Sequence, residues 1–381
     1  MISVVTIGII ATLFAYIAQF KELRFCLKIS FLIIFLFLAL RYNYGPDYET
    51  YRDLFLSIDQ FGLEDIKDIW MKTFFFNLIG SDKLGGYTGS TEVGWQALCF
   101  LFQPLGFFAM VATLALFNCL VYYYFIKKYV PPAYYWFAVF LYVFTPDLMI
   151  VHASAMRQSV AISIFLLSIN YIYKKDFPRY ALLIFIATLF HTTAIILLPV
   201  YLLGALNFKT NLPAAIGIFA VFLLLFLLKG PLSQIMGTFT YATKYEIYNE
   251  STITGGALTI SFYAIILILL LLYDRYQNKE ISLLFKIAAL NIFMIPLVFI
   301  MGMIGRLGMY FQPLLFFVVY PFVLLRMDKI IPKYPLLFRY SFMVIIGFYA
   351  IYMFWNFVQS PESWKMTFRT YDMIFSSPVI Y

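Results

Sequence analysis

Charge is what this chain has least of. Only 12% of its residues are Asp, Glu, Lys or Arg, about half the ~25% of soluble domains, which excludes a soluble fold for want of polar surface. Cysteine is scarce as well: Cys26, Cys99 and Cys119 are too few and too scattered for a disulfide framework or a zinc site. The only two histidines, His152 and His191, lie far apart in sequence, and no acidic pair is read as having ligand spacing on an outer helix, so no metal centre is expected. There is no Walker loop and no dinucleotide fingerprint. No cofactor is therefore expected, and a cytoplasmic nucleotide-sugar enzyme is disfavoured. The first apolar run has neither a preceding basic residue nor a small-residue cleavage site after it, and reads as a retained span, not a signal peptide. Without a repeat, linker or low-complexity segment, one membrane domain over 1–381 is the expectation.

What is present is apolar side chain, at 63% of 381 residues. A helix needs about 20 mostly apolar residues to cross the hydrocarbon core. Ten runs meet or approach this, near 2–20, 25–40, 107–126, 134–151, 156–173, 212–228, 257–273, 285–304, 308–325 and 340–358. The stretch 180–206 is too long for one untilted span and too short for two. Charge parity decides how it runs. Basic clusters at Lys21/Arg24/Lys28, Lys127/Lys128, Lys174/Lys175/Arg179, Arg275/Lys279/Lys286 and Arg326/Lys329/Lys333/Arg339 share the cytoplasmic side only if 180–206 enters and leaves from that side. A short-helix hairpin turning near His191 is therefore expected.

With that parity the net charge of +8 concentrates on the inner face. In a soluble protein such an excess would suggest nucleic acid; here it lies in gaps between spans, and the partners it implies are membrane lipids. Both termini and the long segments 41–106, 229–256 and 359–381 face outward. The acidic stretch Asp59 to Asp68 reads as a surface helix. Glu92-Val-Gly-Trp95 opens a half-helix broken at Gln103-Pro-Leu-Gly106. Many of the tyrosines at span ends read as interfacial belts.

Work at the outer face needs polar residues there. Arg41 closes the second span, Arg157 opens the fifth beside Gln158, and Arg306 interrupts an apolar stretch. An Arg near the core costs about 2.5–3.5 kcal/mol on insertion scales, and its planar fork suits phosphate. The bland alternative for Arg41 is snorkelling to the interface. For Arg306, Gly302, Gly305 and Gly308 argue for close packing or a cavity. Gly45-Pro46 predicts a turn holding Asp47 near the membrane, either as a base for a sugar hydroxyl or as the cap of a helix starting at Tyr48. Tyr44, Tyr48 and Tyr51 offer stacking faces. His152 reads as a loop residue or a ligand contact. His191, at the hairpin apex, reads as a base or as a satisfied buried imidazole. Glu92 is a further outer carboxylate.

Arg41-x-x-x-Gly45-x-Asp47-Tyr48-x-x-Tyr51, Glu92-x-Gly94-Trp95, Arg157-Gln158, Leu189-Phe190-His191 and the late Arg306 together resemble the EpsG family of polysaccharide polymerases, a branch of the Wzy-type O-antigen and capsule polymerases, from about residue 1 to 360. The resemblance implies an all-α polytopic, GT-C-like glycosyltransferase of the bacterial inner (cytoplasmic) membrane with its active site facing the periplasm or exterior. Its substrates would be undecaprenyl-diphosphate-linked oligosaccharide repeat units, with no metal or cofactor, and its membrane partners a chain-length copolymerase and a flippase. Arg157 and Arg306 are then expected at the donor diphosphate, with Arg41 near the acceptor diphosphate or sharing the site. Asp47 is expected as the base, with His191 second. An O-antigen ligase shares the donor and differs only in acceptor. A flippase would favour midplane charges and paired repeats, neither of which stands out.

Overall fold

The computed structural model describes residues 2–58, 92–205, 212–228, 230–232, 234, 263, 266–267, 279–298, 304–325 and 332–376. The expected span 257–273, the outer segment 229–256 and the acidic stretch Asp59 to Asp68 fall wholly or almost wholly outside these residues, as does Gly302. The described chain is helical apart from one two-stranded ribbon, in keeping with an all-α polytopic membrane protein. It forms two compact units, 1–198 with 343–381, and 199–342.

The first unit contains α1 (Ile2–Ile17), α2 (Cys26–Ala39), α3 (Tyr48–Ile58), α4 (Val93–Phe102), α5 (Phe107–Tyr129), α6 (Tyr135–Phe144), α7 (Ile150–Ser154), α8 (Met156–Tyr173) and α9 (Phe177–Phe190). Neighbours pack in series: α1 on α2 and α6, α2 on α5, α5 on α8, and α8 on α9. Gly8 lets α1 approach α6, since a Cβ there would stand 2.8 Å from Val143. The second unit holds α10 (Leu212–Leu227), α11 (Lys279–Val298), α12 (Ile304–Leu314) and α13 (Tyr320–Leu325), the last two joined by a π turn over Leu315–Val319. Pro313, which has no N–H to donate, lies just before that turn. Asn291 Nδ2 of α11 donates to the Gly308 carbonyl of α12 over 2.9 Å, and a Cβ on Gly308 would stand 3.3 Å from that nitrogen, so this glycine serves close packing of the two helices. Helix α14 (Pro335–Gln359) begins in the second unit and ends in the first, followed by α15 (Ser363–Met366).

Among the described residues four helical stretches are long and apolar enough to cross a membrane: Phe107–Tyr129, Lys279–Val298, Ile304–Leu325 and Pro335–Gln359. Several of the ten expected full spans are shorter helices. The clearest correction is at 134–151. Pro146 disfavours helical backbone in the residue before it, and Thr145 is extended (φ −99, ψ 107), so the run divides into α6 and the single-turn α7.

The hairpin near His191 is present. Asp176 caps α9, accepting from the Arg179 N–H at 3.2 Å, with Pro178 in its first turn. The helix stops at Phe190, and a 3₁₀ segment follows over Thr192–Gly204. Tyr180 Oη donates to the Leu197 carbonyl at 2.5 Å. Seventeen residues in continuous α-helix would separate those two by about 25 Å, so the chain has doubled back. A ribbon of Arg41–Tyr42 (β1) with Asp372–Met373 (β2) ties the end of α2 to the segment after α14. One end of the first unit thus collects the 41–58 segment, the start of α4, the start of α8, the hairpin apex and the tail.

Candidate functional site

The loop after α2 is shaped by one glycine. Gly45 has φ +95, and a Cβ there would lie 2.4 Å from Ser154 Cβ and 2.7 Å from the Phe368 ring, so only glycine fits. The turn that follows places the Asp47 N–H on Ser154 Oγ at 3.1 Å. The Asp47 carbonyl then accepts from the Tyr51 N–H at 3.0 Å as α3 begins. Asp47 therefore occupies the cap position, half-buried, close enough to Tyr51 to act on it electrostatically.

Tyr44 and Tyr48 do not present faces to a ligand. Both are fully buried: Tyr44 packs edge-on against Phe37, Phe368 and Tyr371, and Tyr48 against Phe107. Tyr48 Oη donates to the Arg41 carbonyl at 3.2 Å. They are core residues that fasten the loop, which corrects the expected stacking role.

Tyr51 is different. Its ring lies 4.7 Å from that of Trp95 and 5.4 Å under the Arg157 guanidinium, and its Oη accepts from Arg157 Nε at 3.3 Å. Arg157 Nη1 forms an ion pair with Glu92 Oε2. The other Glu92 oxygen lies 3.5 Å from His191 Nδ1 and 3.5 Å from the Thr192 backbone N–H. Glu92 can stand there because Gly94 admits α9 closely: a Cβ on Gly94 would meet the Leu189 carbonyl oxygen at 2.7 Å. Side-chain exposure is 27% for Arg157, 12% for Glu92 and 16% for His191. Both His191 ring nitrogens are buried without a hydrogen-bond partner among the described residues. Glu92 precedes α4 and lies outside the expected spans. Burial alone would raise its carboxyl, but His191 and the positive charge of Arg157 outweigh that and hold it below the ordinary value.

Arg41 neither snorkels nor opens to an outer mouth. It is 3% exposed, with Nη1 on the Leu38 carbonyl and Nη2 on that of Ala153 at 2.9 Å. Its charge thus rests on carbonyls in the last turns of α2 and α7, where cations are favoured. His152 is likewise buried on α7 and not in a loop, its Nδ1 3.4 Å from Tyr122 Oη. Arg41, His152, Asn118 and Ser159 line a cavity of about 20 Å³, room for roughly one water. Asn118 bridges Ser159 (3.0 Å) and Ser163 (2.8 Å) across α5 and α8.

Of the expected residues, the structure brings Tyr51, Arg157, Glu92 and His191 into one chain of contacts, in that order, with Asp47 near Tyr51. Arg41 and His152 form a separate buried pocket, and Gln158 is buried in the first turn of α8. Arg306 belongs to the second unit and is exposed at the described start of α12. Reading by sequence passes over Asn118, Tyr122, Trp95 and Thr192 as contributors. Asn118 carried a signal, as an amide inside the apolar run 107–126, and Trp95 stood in the Glu92-x-Gly94-Trp95 motif without being assigned a contact. Among the described residues no group of three His, Cys, Asp or Glu stands close enough to hold a metal ion.

The sequence model of the EpsG family matches residues 24–373, nearly the whole chain. No curated protein and no solved structure matches.

Proposed function

Because the chain belongs to the EpsG family, a Wzy-like polysaccharide-polymerase type, we propose that it polymerises undecaprenyl-diphosphate-linked oligosaccharide repeat units. The reaction takes place at the outer face of the bacterial inner membrane, on a single membrane domain of GT-C type. The observation that supports this is the meeting of Arg157, Glu92, His191 and Tyr51, drawn from four separate segments, at one partly open end of the first unit.

The chemistry needs little beyond those groups. An acceptor sugar hydroxyl attacks the anomeric carbon of the growing glycan. The new C–O bond forms as the bond to the lipid diphosphate breaks, and the diphosphate leaves with the electron pair. A fixed guanidinium stabilises that developing charge best where water is scarce, which assigns Arg157 to the diphosphate. The hydroxyl proton passes to a base. His191 fits this better than Asp47: its ring nitrogens are unbonded and a carboxylate lies beside Nδ1, whereas Asp47 is placed to start a helix. For Arg306 the family resemblance alone carries the assignment to diphosphate, and Arg306→Ala tests it in the same assay. A copolymerase and a flippase are the proposed membrane partners.

Purified protein given a synthetic lipid-diphosphate-linked repeat unit, chelator and no nucleotide sugar should yield a ladder spaced by one unit. His191→Asn should abolish the ladder while Asp47→Asn retains it. Transfer to a foreign lipid without a ladder would identify a ligase instead, and sided movement of intact substrate a flippase.

A further inference from the structure

We infer that Glu92 is a substrate-released carboxylate: it neutralises Arg157 in the free enzyme, and an anionic group arriving at Arg157 displaces it onto His191. The inference rests on the reading of Arg157 as the diphosphate residue. Glu92 straddles the two groups, one oxygen paired with the Arg157 guanidinium and the other 3.5 Å from His191 Nδ1. That second distance is too long for a good hydrogen bond, so in the free state the imidazole is accompanied but not held. A diphosphate carries more negative charge than one carboxylate and offers the guanidinium fork paired oxygens. It therefore competes for the same Nη1 that Glu92 occupies.

Everything needed for the exchange is already in place. Arg157 keeps its second hold, Nε on Tyr51 Oη, and so stays aimed when Glu92 leaves. Glu92 is anchored at the start of α4, whose close approach to the end of α9 through Gly94 leaves His191 Nδ1 and the Thr192 N–H, each at 3.5 Å, beside its other oxygen. Once turned, the carboxylate accepts the Nδ1–H of His191, fixes the tautomer that leaves Nε2 free to accept the hydroxyl proton, and stabilises the imidazolium that results. Glu92 is thus a positioning residue, and substrate binding itself completes the base. An idle enzyme would hold neither a free guanidinium nor an oriented imidazole.

The test uses the full-length protein and inorganic diphosphate as the probe, with binding followed by calorimetry. Glu92→Gln removes the competing charge and should bind diphosphate about tenfold more tightly than the parent, the effect of losing a competitor worth about one factor of ten in affinity, while its polymer yield collapses. Equal or weaker binding by a Glu92→Gln protein with unchanged melting would overturn the exchange and leave Glu92 as a fixed support for Arg157. Parent protein and Arg157→Ala binding diphosphate alike, with equal ladders, would overturn the underlying assignment of Arg157 instead.

A second readout needs no Glu92 variant. The chain has only two histidines, so histidine-labelled protein gives two sets of imidazole signals, assigned through His191→Asn. Diphosphate should move the His191 Nδ1 signal toward a hydrogen-bonded value and leave His152 in place, and Arg157→Ala should abolish the movement. A His191 signal that does not respond to bound diphosphate would contradict the proposal.

Discussion

Two arginines of the first unit, Arg41 and Arg157, carry the same charge at the same end of that unit and are held in opposite ways. Arg41 is sealed from solvent, and its hydrogen bonds end on main-chain carbonyls of Leu38 and Ala153. Those acceptors cannot leave without unwinding a helix end. Arg157 is about a quarter exposed, and its partners are the side chains of Glu92 and Tyr51. A side chain can turn away at the cost of a rotamer. An arginine on backbone is a fastening, and one on side chains is available for a ligand. The comparison teaches that position along the sequence does not separate the two roles; the nature of the acceptor does.

The sharpest way to break the comparison is Arg157→Ala. Polymer formation should fall by about 10²–10³-fold, the usual cost of removing a group that stabilises transition-state charge, while membrane levels of the protein stay normal. Arg41→Ala should do the reverse. Losing two charge-assisted bonds to buried carbonyls costs about 3 kcal/mol or more, seen as lower melting in detergent and lower membrane abundance. Gly94→Ala is intermediate, since its Cβ would stand 2.7 Å from the Leu189 carbonyl oxygen. Overpacking costs about 1–3 kcal/mol, and the displacement of Glu92 from His191 should reduce polymer as well as melting. Tyr51→Phe removes one hydrogen bond, worth about 1 kcal/mol, and should lower polymer yield several-fold with the stacking on Trp95 intact.

Parts of this arrangement were legible before any coordinates. The hairpin at 180–206 followed from the parity of five basic clusters, because charge bias constrains every crossing at once. Gly45-Pro46 and the break at Gln103-Pro-Leu-Gly106 were legible as local turn chemistry; Gly106 indeed has φ +86. Other features were hidden for physical reasons. Tyr44 and Tyr48 look like interfacial aromatics because a tyrosine has the same amphipathic character in a belt as in a core, and only packing against Phe368 and Phe107 decides. Thr145-Pro146 was written in the sequence, yet the apolar run around it masked the stop. The Arg41–Ala153 and Arg157–Glu92 pairings join residues 112 and 65 positions apart. No local pattern records such contacts. Family motifs marked Arg41, Glu92 and Arg157 alike without telling fastening from site.

The most direct test exchanges each arginine for lysine, which keeps the charge and removes the fork, and compares polymer made per folded molecule with the melting temperature. The account predicts that Arg157→Lys melts like the parent and loses at least about tenfold in polymer, since a bidentate site does not accept lysine as equivalent. Arg41→Lys should melt lower yet make parental amounts per folded molecule. Parental polymer from Arg157→Lys, with polymer lost from well-folded Arg41→Lys, would contradict it and exchange the roles of the two residues.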